Sequence, residues 1–298
     1  MRTHSLKVDS QNSGVRLDVF LTENLTDIPS RNFVKHLIES QDVTVNNKPA
    51  KAHYKVLAGD KIKVKIPPAR DGSILPEDIP LDIFYEDKDF LVVNKPAGML
   101  VHPAQDRFSG TLVNALLYHC KKLSDLNEPF RAGIVHRLDE ETSGLIVAAK
   151  NNTFHAQLAK QFEEHTVRKR YVALVEGLIE FDEGVIDAAL GRHPRYRDKK
   201  AVVFYEEDAK EAKTFYKVLK RFKEATLVAL FPQTGRTHQL RVHMAYLGHP
   251  VLGDTKYGKR NSFPRLALHA QAIRFLHPRT GKSIEFSCMV PSEFLPKV

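Results

Sequence analysis

A short apolar run follows directly on a polar one within residues 134–150, and this junction constrains the fold more than any other part of the chain. Residues 145–149 are apolar and follow a glycine, which predicts a buried β-strand. Residues 136–143 are polar, yet they lie between that run and the apolar pair Ile134-Val135. A polar segment enclosed by core-forming residues predicts a loop held rigidly at the edge of the core, where functional sites usually lie.

Asp139 is the carboxylate at the centre of this polar loop. Arg137 lies two residues before it, and Glu140 and Glu141 follow directly. An isolated Arg-Leu-Asp is also typical of a charged surface turn. Whether Asp139 belongs to a site therefore depends on the rest of the chain.

The charge balance indicates an anionic partner. The 298 residues include 45 Lys and Arg against 36 Asp and Glu, a formal net charge of +9. Such an excess favours nucleic acid first and a membrane surface second. No apolar run approaches the roughly 18 residues that span a bilayer, and the polar N-terminal sequence lacks the core of a signal peptide. The sequence predicts a cytoplasmic protein without a membrane partner.

The two cysteines, Cys120 and Cys288, are far apart in the sequence. They are too few for a zinc cluster or a disulfide framework, so two free thiols are expected. His238 and His243 lie five residues apart and lack a third obvious ligand, so no metal site is predicted there.

Patterning divides the chain into a small and a large domain. Residues 1–12 are predicted to be a flexible lead-in, residues 13–72 a small domain, residues 73–81 a Pro-containing linker and residues 82–298 a large domain. The first helix of the small domain is predicted from apolar residues at helical spacing, Leu17, Phe20, Leu21 and Leu25. A second helix is expected to begin near Ser30, and alternation at 61–66 predicts a strand.

The small domain resembles the S4 RNA-binding domain, with two short helices, a small sheet and Arg16-Leu17-Asp18 at its head. The resemblance implies that the second helix lies on RNA backbone. Arg31 and Lys35, on the exposed face of that helix, are therefore predicted RNA contacts. The pattern fits any small domain with a solvated charged face equally well.

A basic segment at 191–200 contains five Lys or Arg residues with a Tyr between them. It includes Gly and Pro and lacks helical periodicity, which predicts a mobile basic loop suited to phosphate contacts. Arg192, Arg195 and Arg197 are its predicted RNA contacts.

Several other motifs surround Asp139 in the sequence. They are Lys-Pro-Ala-Gly-Met-Leu-Val-His-Pro at 95–103, Lys-Arg-Tyr at 169–171, Gly-Arg-Thr-His-Gln-Leu-Arg-Val-His at 235–243, Pro-Val-Leu-Gly-Asp at 250–254 and Arg-Leu-Ala-Leu-His-Ala at 265–270. Together with His-Arg-Leu-Asp and Thr-Ser-Gly-Leu, and in this order, they resemble the RluA-type pseudouridine synthases. The basic segment resembles the Arg-His-Pro loop of the large-subunit rRNA enzymes of that family.

The resemblance implies an α+β fold, in which the small S4-like domain precedes a catalytic domain with a mixed, mostly antiparallel central sheet flanked by helices. It implies that Asp139 is the catalytic residue, that Arg241 pairs with it, and that Tyr171 contacts the target base and transfers a proton. Arg137 is implied to enter the RNA. His136 is grouped with it as an RNA contact, and Leu268 is implied to line the uracil pocket.

The implied reaction is the isomerisation of uridine to pseudouridine, which needs neither redox chemistry nor energy input, so no cofactor is expected. The expected substrate is 23S rRNA of the large subunit or its precursor, and a monomer is expected. Three alternatives stay open at this point. The first is a synthase that acts on tRNA. The second is a non-catalytic RNA-binding assembly factor, which would not need Asp139, Tyr171 and Arg241 to converge. The third is a sugar hydrolase, which normally needs two facing carboxylates.

Overall fold

The computed structural model describes residues 2–25, 34, 37–66, 74–104, 107–126, 131–196, 198–204, 209–258 and 263–295. The chain forms two compact units, Met1–Ser73 and Ile74–Val298. Among the described residues, no helix is both long enough and apolar enough to cross a bilayer.

Within residues 2–25, 34 and 37–66, the smaller unit contains a helix packed on a four-stranded antiparallel sheet with strand order β1-β4-β2-β3. Its elements are β1 (Arg2–Lys7), α1 (Leu17–Asn24), β2 (Val43–Val45), β3 (Lys48–Pro49) and β4 (Lys61–Ile66). The predicted apolar face of α1 is buried, and Ile62 and Val64 of β4 point into the same core. The predicted first helix and the predicted strand at 61–66 are therefore confirmed.

One prediction for the smaller unit is wrong. Residues 2–7 were expected to be part of a flexible lead-in, but they form β1 and pair with β4 over six residues. The strand is held by backbone hydrogen bonds at the sheet edge, and its side chains are mostly exposed or half-buried. Because few apolar side chains are involved, the sequence carries no clear alternation there. Arg31 and Lys35 lie outside the described residues.

The larger unit is built on a nine-stranded sheet with the order β5-β6-β7-β14-β8-β13-β12-β9, and β15 also pairs with β14. Only β7 and β14 run parallel among the described pairs, so the predicted mixed, mostly antiparallel sheet is confirmed. The strands are β5 (Ile83–Glu86), β6 (Phe90–Lys95), β7 (Ser143–Ala149), β8 (Arg168–Glu176), β9 (Glu183–Asp187), β12 (Lys213–Arg221), β13 (Ala225–Pro232), β14 (Leu268–Leu276) and β15 (Ser283–Ser287).

The described helices of the larger unit are α2 (Leu112–His119), α3 (Asn152–Glu163) and α4 (Gln239–Tyr246). Thr111 caps α2 and Asn151 caps α3, each through a side chain that accepts a backbone N–H. Phe154 and Leu158 of α3 are buried in the core beside β7. They lie four residues apart, a spacing that predicts one buried face of a helix.

A two-stranded hairpin includes the basic segment that was expected to be a mobile loop, but only residues 191, 192 and 200 of the segment lie in its strands. β10 (Leu190–Arg192) pairs with β11 (Lys200–Val202). The expectation of a loop is therefore wrong at both ends of the segment. Each strand has only three residues, Leu-Gly-Arg and Lys-Ala-Val, which is too few to show an alternation of apolar and polar side chains.

All seven residues of β7 are buried, in agreement with the apolar run that follows Gly144. A Cβ atom on Gly144 would lie 2.3 Å from the carbonyl oxygen of Ala270, and the residue has φ +114°. Glycine is therefore required where β7 meets β14. This close approach fixes the polar loop of Asp139 against the centre of the sheet.

The segment before β5 is fastened to the larger unit. The side-chain amide of Asn114 donates to the carbonyl oxygen of Leu75 at 2.8 Å, and the main-chain carbonyl of Asn114 accepts from the Glu77 amide at 3.0 Å. Residues 74–82 form no helix or strand. The C-terminal part of the predicted linker is therefore held on the surface of the larger unit.

Candidate active site

A cleft of about 290 Å³ opens in the larger unit where the Asp139 loop, the start of β8, the end of β13 and the start of α4 meet. Asp139, Tyr171 and Arg241 all line it, with His136, Arg137 and Leu268. Its volume is near the lower end of the range for small-ligand sites, about 300–1,000 Å³. The convergence of the three predicted catalytic side chains argues against the non-catalytic alternative, which does not need it.

Arg241 joins two carboxylates. Its Nε and Nη2 donate to the two carboxylate oxygens of Asp254 at 2.7 and 2.8 Å, a bidentate pair. The remaining nitrogen, Nη1, lies 3.6 Å from Oδ2 of Asp139. The Asp254 side chain is 0% exposed and that of Asp139 is 19% exposed. Asp254 thus orients the guanidinium, and Asp139 faces the cleft beside it.

Arg241 and Asp254 each stabilise the charged form of the other. Burial acts to raise the pKa of Asp254, but the hydrogen bonds and charge of Arg241, with two backbone amides, outweigh burial and lower it. Burial likewise disfavours the charged form of Arg241, yet the hydrogen bonds and charge of Asp254, then the charge of Asp139, raise its pKa. Arg241 is therefore a permanent cation beside Asp139.

No side-chain hydrogen bond to the Asp139 carboxylate is present within the described residues, apart from the ion-pair contact at 3.6 Å. The Asp139 carbonyl accepts the Thr142 amide at 3.1 Å, which closes the turn around it. The backbone is thus fixed while the carboxylate oxygens stay available to a ligand.

Lys95 holds the backbone of the Asp139 loop by hydrogen bonds. Its ammonium is fully buried and donates to the carbonyl oxygens of Pro96, Met99 and Glu140 at 2.7, 2.9 and 3.0 Å. The Gly98 amide also donates to the backbone carbonyl oxygen of Glu140 at 2.9 Å. Burial lowers the pKa of Lys95 to about 8, although the nearby carboxylates act in the opposite direction. The 95–103 motif therefore shapes the cleft by holding the Asp139 loop in place.

The loop before α4 is ordered by Gln239. Its side-chain oxygen accepts from Thr234 at 2.7 Å and from the Arg236 amide at 3.0 Å, and its amide group donates to Thr214. His238, which precedes it, adopts a left-handed conformation with φ 59°. Both ring nitrogens of His243 contact protein atoms, the Thr214 hydroxyl and the Ala188 carbonyl. This network fixes the first turn of α4 and hence Arg241.

Tyr171 and Lys169 reach the cleft from the same face of β8, because alternate residues of a strand share a face. Burial, then the charge of Asp139, raises the pKa of Tyr171 well above its usual value. Its hydroxyl is accordingly neutral at physiological pH. Leu268, at the start of β14, is buried and supplies an apolar part of the wall.

His136 lies at the cleft wall, and its side chain already contacts other protein groups. Its Nε2 accepts the Val147 amide at 2.9 Å, and its ring stacks on Phe162 at 4.7 Å between centroids. Burial lowers the pKa of His136 to about 3. Its ring face and Nδ1 are what it can offer to RNA, and its role as an RNA contact stays a prediction.

The protonation of His136 predicts an acid-dependent loss of stability. Its pKa is about 3 in the folded chain and about 6.5 when unfolded, so the unfolded state binds the additional proton between these values. Stability should fall as pH decreases from 6.5 towards 3, by at most about 1.4 kcal/mol per pH unit from this group. Urea unfolding of wild type and His136→Gln at pH 7 and 5 checks this. An equal pH dependence in both proteins would contradict it.

The basic hairpin is tied to the cleft through Tyr257. The Lys200 amide donates to the Tyr257 hydroxyl at 2.9 Å, and that hydroxyl lies 2.7 Å from Nδ1 of His238. The Arg241 guanidinium lies over the Tyr257 ring at 5.1 Å. Arg192 and Arg195 are exposed on the hairpin, where phosphate contacts are feasible; Arg197 lies outside the described residues.

Four residues of the site were not predicted from sequence: Lys95, Lys169, Asp254 and Tyr257. Each lies within or beside a motif noted above, so the signal was a polar residue in a segment that already carried a functional one. Their partners are distant in sequence, 45 residues for the bond from Lys95 to Glu140. Motif membership could therefore have drawn attention to them, but their roles follow from geometry.

Comparison with known proteins agrees with this geometry. Residues 89–246 match the RNA pseudouridylate synthase family model and residues 15–62 match the S4 domain. A Bacillus subtilis protein described as an uncharacterized RNA pseudouridine synthase, YlyB, is 44% identical, with 98% of this chain and 96% of the relative covered. Ribosomal large subunit pseudouridine synthase D of Zymomonas mobilis is 42% identical at the same coverage.

A solved structure gives the same result. Human RNA Pseudouridylate Synthase Domain Containing 1 superimposes with a TM-score of 0.59 and 31% identity, over 72% of this chain and 84% of that chain. The family match covers more than half of the chain and includes Asp139, Tyr171 and Arg241. The chain therefore belongs to the RNA pseudouridylate synthase family and is an isomerase with an N-terminal S4 domain.

Proposed function

We propose that the enzyme isomerises one or more uridines of 23S rRNA or its precursor, with Asp139 as the catalytic carboxylate. The observation that supports this role is the carboxylate itself, which lies in a cleft of suitable size for one nucleotide and is paired with Arg241 at 3.6 Å. The ribosomal substrate is supported by relatives named for the large subunit, such as that of Zymomonas mobilis. A monomer acting in the cytoplasm is part of the proposal.

The reaction breaks the N1–C1′ bond, turns the uracil and forms a C5–C1′ bond, while C5 loses its proton to solvent and N1 gains one. An ionised carboxylate beside C1′ and C6 serves three routes: attack on C1′, addition to C6, or removal of the 2′ proton. Arg241, whose Nη1 lies 3.6 Å from Oδ2 of Asp139, orients the carboxylate for each of them. Tyr171 stands beside the base and takes part in proton transfer as its neutral hydroxyl.

The target uridine leaves its stack to reach Asp139, at a cost of a few kcal/mol. Arg137 is exposed at the mouth of the cleft, two residues from Asp139. In the proposal its guanidinium fills the space that the base vacates and so offsets part of this cost. Leu268 packs against the flipped uracil.

Arg137→Ala should raise the RNA concentration needed for half-maximal turnover about tenfold, because one charged contact is lost. The turnover rate should also fall, while the fold stays unchanged. Steady-state tritium release and a thermal melt measure the two effects. Lys160→Ala removes a charge from the exposed face of α3 and is the matched control. Unchanged kinetics in Arg137→Ala would remove this residue from the flipping role.

The substrate class is tested with transcripts of 23S rRNA and of tRNA that carry tritium at C5 of uridine. Tritium is released when C5 is linked to C1′. Release from 23S rRNA alone is the expected result. Release from tRNA alone would replace the ribosomal substrate by tRNA, the alternative that the sequence left open.

A further inference from the structure

Lys169 is a half-buried cation for which the site, as described so far, provides no counter-charge. It lines the cleft from β8, and its ammonium lies 3.4 Å from the Thr234 carbonyl. No carboxylate lies within 4 Å of it among the described residues. A half-buried ammonium with a single long hydrogen bond is costly unless a ligand supplies the missing charge.

The cleft is electrostatically divided. At one end Asp139 lies with Arg241 and His238. Lys169 occupies the other end, beside His136, since its charge lowers the pKa of that ring, and close to Gly235, where a Cβ atom would lie 3.8 Å from Nζ. Arg236 and Arg137 also line the cleft, so among the described lining residues the Lys and Arg side chains outnumber the one carboxylate. An anion is the complementary ligand for the Lys169 end.

We propose that Lys169 binds a backbone phosphate of the RNA next to the flipped uridine, and so positions the ribose relative to Asp139. This inference rests on the proposed function, because it takes RNA as the ligand. Uracil is neutral and would leave the ammonium without a counter-charge, whereas every nucleotide of the chain supplies one phosphate charge. Gly235 leaves the space above Nζ free of a side chain.

The proposal carries a pH signature. Burial lowers the pKa of Lys169 to about 8 in the free enzyme. A bound phosphate raises it, so the contribution to affinity is complete below pH 8 and is lost as pH rises beyond it. The other titratable or charged residues that line the cleft with Lys169 are His136, Arg137, Asp139, His165, Tyr171, Arg236, His238 and Arg241. Of these, His136 and Tyr171 have pKa values displaced away from this range.

The test compares wild type, Lys169→Met, Lys169→Arg and the surface control Lys160→Met. The probe is the 23S rRNA transcript with tritium at C5 of uridine. Filter binding gives Kd between 50 and 200 mM KCl, and single-turnover release with enzyme in excess gives the rate of the bound complex. Because binding is measured separately from turnover, a failure of the proposed function and a failure of the phosphate site are distinguished.

Lys169→Met should raise Kd about tenfold and reduce the slope of log K against log salt by about 0.7, one phosphate contact. Lys169→Arg should keep its affinity from pH 7 to 9, while wild type weakens. Lys95 also has a pKa of about 8, but both proteins retain it, so their difference reports Lys169. An unchanged Kd and salt slope in Lys169→Met, or a slower rate at unchanged Kd, would overturn the proposal.

Discussion

Asp139→Asn should lower the single-turnover rate of tritium release by at least about 10⁴-fold, as removal of an essential catalytic group does. The amide is similar in shape to the carboxylate but can neither attack carbon nor take a proton. RNA affinity should stay nearly unchanged, since Asp139 contributes one of many contacts and a negative charge that repels phosphate. Filter binding and tritium release with enzyme in excess separate the two quantities.

Glu141→Gln is the matched control. Glu141 is exposed, lies two residues from Asp139 and does not line the cleft. Its replacement should leave the rate within about twofold, well below the 1.4 kcal/mol that each tenfold change represents. A large loss in Glu141→Gln would indicate that two carboxylates act, as in the hydrolase alternative.

Arg241→Met and Asp254→Asn should each impair both stability and catalysis. Removing one partner leaves a buried polar or charged group without compensation, which costs roughly 3–5 kcal/mol. Turnover should fall about 10²- to 10³-fold, typical for the loss of a preorganised electrostatic contact. Asp254 has this effect without touching the substrate, because it holds Arg241 at two points.

Urea unfolding and single-turnover rates measure these effects, and a double-mutant cycle isolates the coupling. The double variant should be less destabilised than the sum of the single variants, because it leaves no unpaired charge. Lys213→Met breaks an exposed pair with Asp187 and should cost less than about 1 kcal/mol. Additive effects at 241 and 254 would contradict the shared role.

The sequence was sufficient for the parts of the fold that rest on apolar periodicity. The run at 145–149 predicts β7, and the spacing of Phe154 and Leu158 predicts α3, because burial requires those patterns. β1 and the hairpin of β10 and β11 were missed because backbone pairing holds them. β1 has mostly polar side chains, and β10 and β11 have only three residues each. Nothing in local composition distinguishes such strands from loops.

For the site, resemblance of motifs predicted the pairing of Asp139 with Arg241. It did not reveal that Arg241 is held by Asp254, since this contact depends on how α4 packs against the following turn. Gly253 permits that turn: a Cβ atom there would lie 1.9 Å from the Arg265 carbonyl. Likewise, the missing counter-charge of Lys169 is a property of its surroundings in three dimensions, which no spacing encodes.

Nucleoside analysis of treated RNA most directly tests uridine isomerisation at Asp139. The 23S rRNA transcript is incubated with wild type or Asp139→Asn, digested completely, and its uridine and pseudouridine are quantified by chromatography. With wild type, each uridine lost should appear as one pseudouridine; with Asp139→Asn the composition should not change. Free uracil without pseudouridine, or equal pseudouridine from both proteins, would contradict the assignment.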